Sequence, residues 1–193
     1  ERDDIMRIFI QVLELLLMVG CAESQPSMDA PALLEDIGSG IYVHHGEHLD
    51  IDEGYQGDIS NLSVVVGSDG VAVIDTGGSL KVGKQLRAAL AEVTKLPILY
   101  VVNTHVHPDH IFGNAAFVED NVQFIGHEKL GETMQLREES YAELNKKYLG
   151  VKDSKGSNIV VPMQVVKGSM KLDLGGRQLT IIAYPVAHTN TDV

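Results

Sequence analysis

The chain has one cysteine, Cys21, and no tryptophan among its 193 residues. A single thiol can build neither an internal disulfide framework nor a cysteine-rich zinc finger. Basic charge is also scarce: 15 Lys+Arg stand against 27 Asp+Glu, a formal net charge of −12 that argues against a nucleic-acid-binding surface. Long apolar runs are missing too. The strongest, Ile8 to Val19, is interrupted by Gln11 and Glu14 and falls short of the roughly 20 residues a membrane-spanning helix needs. What the chain does have is a 44% apolar content, too high for disorder and suited to one globular domain.

Read from Met6, the segment MRIFIQVLELLLMVGCAES has a basic start at Arg7, an apolar centre, and Gly20 just before Cys21. That is the pattern of a bacterial lipoprotein signal, so residues 1–24 are expected to hold the signal and the start of the mature chain, with a lipid on Cys21. An amphipathic helix packed on the domain is the alternative. The lipoprotein pattern implies a periplasmic, membrane-anchored protein whose only membrane contact is that lipid. Residues 25–37 read as a linker, and residues 38–193 as the domain.

Within the domain, Gly40 to His45 reads as a short strand, and Ser60 to Val66 with Val71 to Asp75 as a hairpin turning at Gly67-Ser68-Asp69-Gly70. Apolar residues at Val82, Leu86, Ala89, Leu90 and Val93 predict an amphipathic helix over Leu80 to Val93. The apolar run Leu96 to Val102 then predicts a buried strand ending at Asn103-Thr104-His105. Further elements are a short helix over Ile111 to Val118, a strand over Val122 to Ile125 and a charged helix over Lys129 to Tyr148. A polar loop follows over Val151 to Asn158, then a hairpin of Met170 to Leu174 with Gln178 to Tyr184. The order predicts a mixed α/β sandwich.

The chemistry concentrates in Thr104 to Asn114, THVHPDHIFGN, where His105, His107, Asp109 and His110 fall within six residues. Residues i and i+2 of an extended segment share a side, so His105 and His107 can converge on one cation; Pro108 then turns the chain and carries Asp109 and His110 to a neighbouring point. Two metal sites about 3.5–4 Å apart suit that arrangement. Imidazole and carboxylate both suit Zn²⁺, although iron or manganese also accept such donors, and a catalytic zinc takes three protein ligands. His188, alone after the last hairpin, is the best third ligand. Asp75, at a strand end, either fixes a ligand histidine or is a turn residue before Gly77-Gly78. His44 and His45 point to opposite strand faces, and with His48 they read as a solvated loop that at most lines a substrate pocket. His127 reads as a helix-start residue.

The H-x-H-x-D-H loop, VIDTGG (Val73 to Gly78) and AHTNTD (Ala187 to Asp192) resemble the metallo-β-lactamase superfamily and imply its αββα sandwich. More narrowly, IYVHHG, GDISN, GVAVIDTGGS, LPILYVVNTHVHPDHIFGNAAF and LDLGGRQL resemble the quinoprotein relay system zinc metallohydrolases and their sulfur-oxidation-associated relatives. The resemblance implies that His105, His107 and His188 hold a first zinc and Asp109 and His110 a second, with Asp109 catalytic as the group that orients a metal-bound hydroxide. It also implies that the C-terminal part of the second half-sandwich, with a bridging Asp and a further His, is missing, so that the second site is incomplete and an apolar sheet face is left exposed and prone to aggregation. Asp192 matches a structural position. The implied activity is hydrolysis of an ester, thioester or amide-type small molecule. A β-lactamase and a non-catalytic metal-binding accessory of a periplasmic quinoprotein or sulfur-oxidation system are the alternatives.

Overall fold

The alternation of apolar residues along each strand determines how the layers stack. The computed structural model describes residues 33–51, 54–118 and 121–193, so the expected signal, Cys21 and most of the linker lie outside the described residues. Seven strands form one sheet in chain order: β1 (Glu35–Gly38), β2 (Ile41–His44), β3 (Leu62–Val66), β4 (Val71–Ile74), β5 (Ile98–Val102), β6 (Gln123–His127) and β7 (Gln164–Val166). Pairing is antiparallel from β1 to β4 and parallel from β4 to β7. A second sheet is the hairpin of β8 (Ser169–Asp173) and β9 (Gln178–Ile182).

Leu62, Val64, Val71, Val73, Val101 and Phe124 face one side of the large sheet, where Val82, Leu86 and Leu90 of helix α1 (Leu80–Val93) pack on them. Each such buried side chain contributes about 1.5–3 kcal/mol. Ser79 caps α1 by accepting the Val82 N–H. On the other side, Val102, Ile125 and Val166 meet Leu172, Leu179 and Ile181 of the β8–β9 hairpin. A helix, a large sheet and a small sheet therefore stack in layers, the mixed α/β sandwich expected.

Several elements differ from the expectations. Glu35–Gly38, assigned to the linker, is an edge strand paired with β2. The short helix starts earlier, as α2 (Pro108–Ile111) followed by a 3₁₀ segment, Phe112–Ala116, because Pro108 at the first helical position has its φ already set. Helix α3 (Leu130–Asp153) runs into the expected loop: Gly150, with φ 77, breaks the helical path and one further turn follows. β7 is too short to show a period.

β4 and β5 are parallel, and both end at the same edge, where the segment Asp75 to Gly78 and the segment Asn103 to His107 leave the sheet side by side. Met163, Val165, Ile182, Tyr184 and Val186 are exposed. Two backbone segments meet closely at Gly113, whose N–H bonds the Gly77 carbonyl. A Cβ there would overlap the Thr76 carbonyl. Gly113→Ala is therefore expected to destabilise the fold by about 3 kcal/mol or more, read from the midpoint of urea unfolding.

Candidate metal centre

Pro108 ends the extended run at His107, whose φ of −66 and ψ of 147 make it the flank of α2. The turn brings His110 back beside His105, with ring centroids 4.1 Å apart, while the His107 ring stands 4.8 Å from that of His105. His105 Nε2 lies 3.1 Å from His107 Nδ1, and His188 Nε2 lies 3.0 Å from the same atom. The three residues offer nitrogens all within 4.8 Å of one another. Three nitrogens each 2.0–2.1 Å from a tetrahedral zinc stand about 3.3 Å apart, so this donor set fits such an ion closely.

Asp75 sits behind the cluster, buried, in the left-handed region at φ 58. Its Oδ1 accepts the Thr104 N–H at 2.8 Å, while Oδ2 accepts the Thr104 hydroxyl at 2.6 Å and His110 Nδ1–H at 2.7 Å. Because the only Thr104 hydroxyl proton goes to the carboxylate, Thr104 Oγ1 accepts from His105 Nδ1, 2.9 Å away. That fixes the His105 tautomer and leaves its Nε2 lone pair facing the cluster. Asp75 thus orients His110 directly and His105 through Thr104, and it also stands in the turn before Gly77.

The loop is locked from below. Asn103 and Asn114, both fully buried, exchange side-chain hydrogen bonds of 3.1 and 2.7 Å, and Thr76 Oγ1 donates to Asn114 at 2.8 Å. The Asn103 side chain and the Thr76 backbone N–H both donate to the His110 carbonyl, and Ser60 donates to the Asp109 carbonyl at 2.5 Å. Sequence reasoning passed over Thr104, Asn103, Asn114, Thr76 and Ser60. The available signal was polar residues placed directly at strand ends beside the histidines.

His188 arrives on a different segment. Asp192 accepts the Ala187 and Thr189 N–H groups and the Thr189 hydroxyl, shaping the loop, and the Val193 N–H bonds the Thr104 carbonyl at 2.9 Å. Asp192 therefore acts structurally. Burial would raise its carboxyl, but the bonds from the Thr189 N–H, the Thr189 hydroxyl and the Ala187 N–H together outweigh this and hold it below the usual range.

Burial, then the charge of His110, pushes His105 down to about 4, and burial, then His188, lowers His107. His105 is therefore neutral at pH 7, the form a cation requires. Across the turn, His110 Nε2 faces Asp109 Oδ2 at 3.2 Å, and its ring centroid is 4.1 Å from that of His105. Burial opposes a charge on His110, but its bonds to Asp109 and Asp75 outweigh that and raise it to about 10. Burial opposes the charge on Asp109, but the bond and charge of His110, a backbone bond and the charge of His105 together hold it below the ordinary carboxylate range.

The remaining histidines lie apart from this group. His44, expected in a solvated loop, is instead buried, with Nε2 2.6 Å from Asp58 and Nδ1 3.1 Å from the Leu33 carbonyl, because its strand position faces inward. His45 is exposed beside Glu35, and His48 lines a surface cavity with Glu47 and Asp50. His127 ends β6, buried, and its Nδ1 accepts the Lys129 N–H one residue before α3.

Comparison with known proteins agrees with this geometry. A family model described as the metallo-beta-lactamase superfamily matches residues 55–193, and the chain belongs to that superfamily. A linear primary-alkylsulfatase from Pseudomonas sp. (strain ATCC 19151) is 38% identical over 52 residues, which is 27% of this chain and 10% of that protein. A metallo-beta-lactamase from Pontibacter korlensis superposes with a TM-score of 0.60 at 21% identity, over 82% of this chain and 63% of that one. A sec-alkyl sulfatase, PisA1, gives 0.60 at 17% identity over 83% of this chain and 28% of its own. At such identities the structures establish the fold, and this chain spans only part of each relative's length.

Two outcomes are expected. Asp75→Asn should weaken zinc binding by about 10- to 100-fold, measured by competition with a chromophoric chelator. Because His110 carries its proton up to about 10 whereas His105 is neutral above about 4, a cation held by Asp109 and His110 must displace roughly one proton at pH 7. Its affinity should therefore rise with pH across the neutral range, and calorimetry in buffers of different ionisation enthalpy should count that proton.

Proposed function

We propose that the chain is a zinc-dependent hydrolase of ester-type bonds, with His105, His107 and His188 holding one ion and Asp109 with His110 contributing to a second. The observation that carries this reading is the meeting of three imidazole nitrogens from segments 81 residues apart, with the His105 tautomer fixed from behind. When bound, the metal supplies a Lewis acid and lowers the pKa of a coordinated water to about 7.

The protein's own groups divide the remaining work. Thr104 and Asp75 keep the His105 Nε2 lone pair aimed into the cluster, and Asp75 keeps His110 Nε2 aimed at Asp109. Asp109, ionised at neutral pH, would help hold the second ion and orient the attacking hydroxide. The Asn103–Asn114 pair and Thr76 hold the turn so that these groups need no rearrangement when substrate arrives.

The 52-residue match to an alkylsulfatase supports sulfate esters as a substrate class to test beside carboxylic esters, thioesters and lactams. The motifs GDISN and GVAVIDTGGS support a place near the quinoprotein relay metallohydrolases, and the segment around Cys21 supports a lipid-anchored periplasmic protein. The test is hydrolysis of aryl esters, alkyl sulfates, thioesters and nitrocefin by the zinc-loaded chain. Turnover should vanish with chelator, return with zinc, and fall roughly a thousandfold in His107→Ala. Zinc bound without turnover of any of these substrates would favour an accessory metal-binding role, and turnover that survives chelation would refute the reading.

A further inference from the structure

Helix α1 carries its charges against local preference. Its first turn holds Lys81 and no acidic residue, although the amide dipoles there favour a negative side chain. Lys81, Lys84 and Arg87 follow one another at three-residue spacing, so like charges share one face and repel. In a chain with a net charge of −12, that arrangement is a feature to explain.

The tertiary structure adds two lysines from another segment. The Leu80 N–H donates to Ser157 Oγ at 2.9 Å, which fastens the turn after α3 against the start of α1. Lys152 and Lys155 thereby reach the wall of a hollow of about 460 Å³ that Lys81 and Lys84 also line, together with Leu80 and Ala88. Among the described residues the only carboxylate within ion-pair distance of these four lysines is Asp153, 3.9 Å from Lys81. The hollow shares Lys84 and Ala88 with a second of about 340 Å³, and that one shares Arg87 and Ala91 with a third of about 320 Å³. All three follow α1, whose 14 residues span about 21 Å. The result is a partly apolar trough with a cationic rim.

We propose that this trough docks a short acidic segment of a partner protein, in which apolar residues alternate with Asp or Glu. Apolar side chains would cover Leu80, Ala88 and Ala91 while the carboxylates meet the lysines. Lysine suits that task, because a single charge on a flexible stem can follow carboxylates spread along a strand. About six extended residues match the length of α1. An anionic bilayer fits less well: a plane would rest on the rim without entering the hollows, and it would also meet the remaining, strongly acidic surface. Such docking goes beyond the hydrolase reading and does not depend on it.

Fluorescence anisotropy of a labelled peptide ELEELEEL titrated with the full chain, beside the neutral SLSSLSSL, tests the docking. Affinity for the acidic peptide should exceed that for the neutral one by about tenfold or more at low salt and fall as salt is raised. Lys84→Glu combined with Lys152→Glu should lower it by about tenfold or more. Equal affinity for the two peptides, or an unchanged affinity in the double variant, overturns the proposal. Cosedimentation with phosphatidylglycerol vesicles in preference to the peptide would mark a membrane surface and also overturn it. Self-association that the double variant abolishes, read by analytical ultracentrifugation, would assign the trough to a second copy with the same consequence. Should the double variant misfold by circular dichroism, Lys84→Gln with Lys155→Gln replaces it, with a smaller fall expected.

Discussion

The Asp75 carboxylate accepts three hydrogen bonds in a buried pocket, from the Thr104 N–H, the Thr104 hydroxyl and His110. Through the hydroxyl it governs the tautomer of His105, and directly it governs the ring of His110. A buried charge is costly unless it is paired and fully bonded, so this carboxylate can adopt essentially one geometry. Two histidines on opposite sides of the Pro108 turn therefore take their orientation from one side chain on another strand. The left-handed backbone at Asp75 belongs to the same constraint, because it swings the carboxylate from the end of β4 across to the end of β5.

The parallel pairing of β4 and β5 makes this possible. Both strands release their chains at the same edge, so residues 29 apart in sequence become neighbours there without a long connection. The apolar layer under α1 fixes the strands, and the Asn103–Asn114 pair transmits that rigidity to the loop. Polar groups this deeply buried specify one arrangement because every alternative leaves a donor or an acceptor without a partner.

Much of this was legible in the sequence. His105 and His107 announce themselves by two-residue spacing in an extended run, Pro108 by its fixed φ, and α1 by the period of Val82, Leu86 and Leu90. The meeting of His188 with the loop required the topology, since nothing local says that a hairpin more than 80 residues on will return to the same edge; its position after a strand and the AHTNTD motif around it were the clues. Thr104 and Asn103 were invisible for a different reason. Their importance lies in which partner each hydroxyl or amide finds, and pairing between distant segments leaves no periodic trace. His44 shows the limit in the other direction. Its neighbour His45 is solvated, and only the face of β2 that meets Asp58 and Leu33 sets the two apart.

The loop of His188 is joined to the rest by the Val193 N–H bond to Thr104 and by the packing of the β8–β9 hairpin on the large sheet. A cation shared by His105, His107 and His188 would therefore act as a clasp between the two sheets and close a loop of about 80 residues, far longer than the turn that carries the other two ligands. A cation bound by all three histidines would bind only the docked arrangement of the two sheets, so the affinity of the site would include the free energy of that docking.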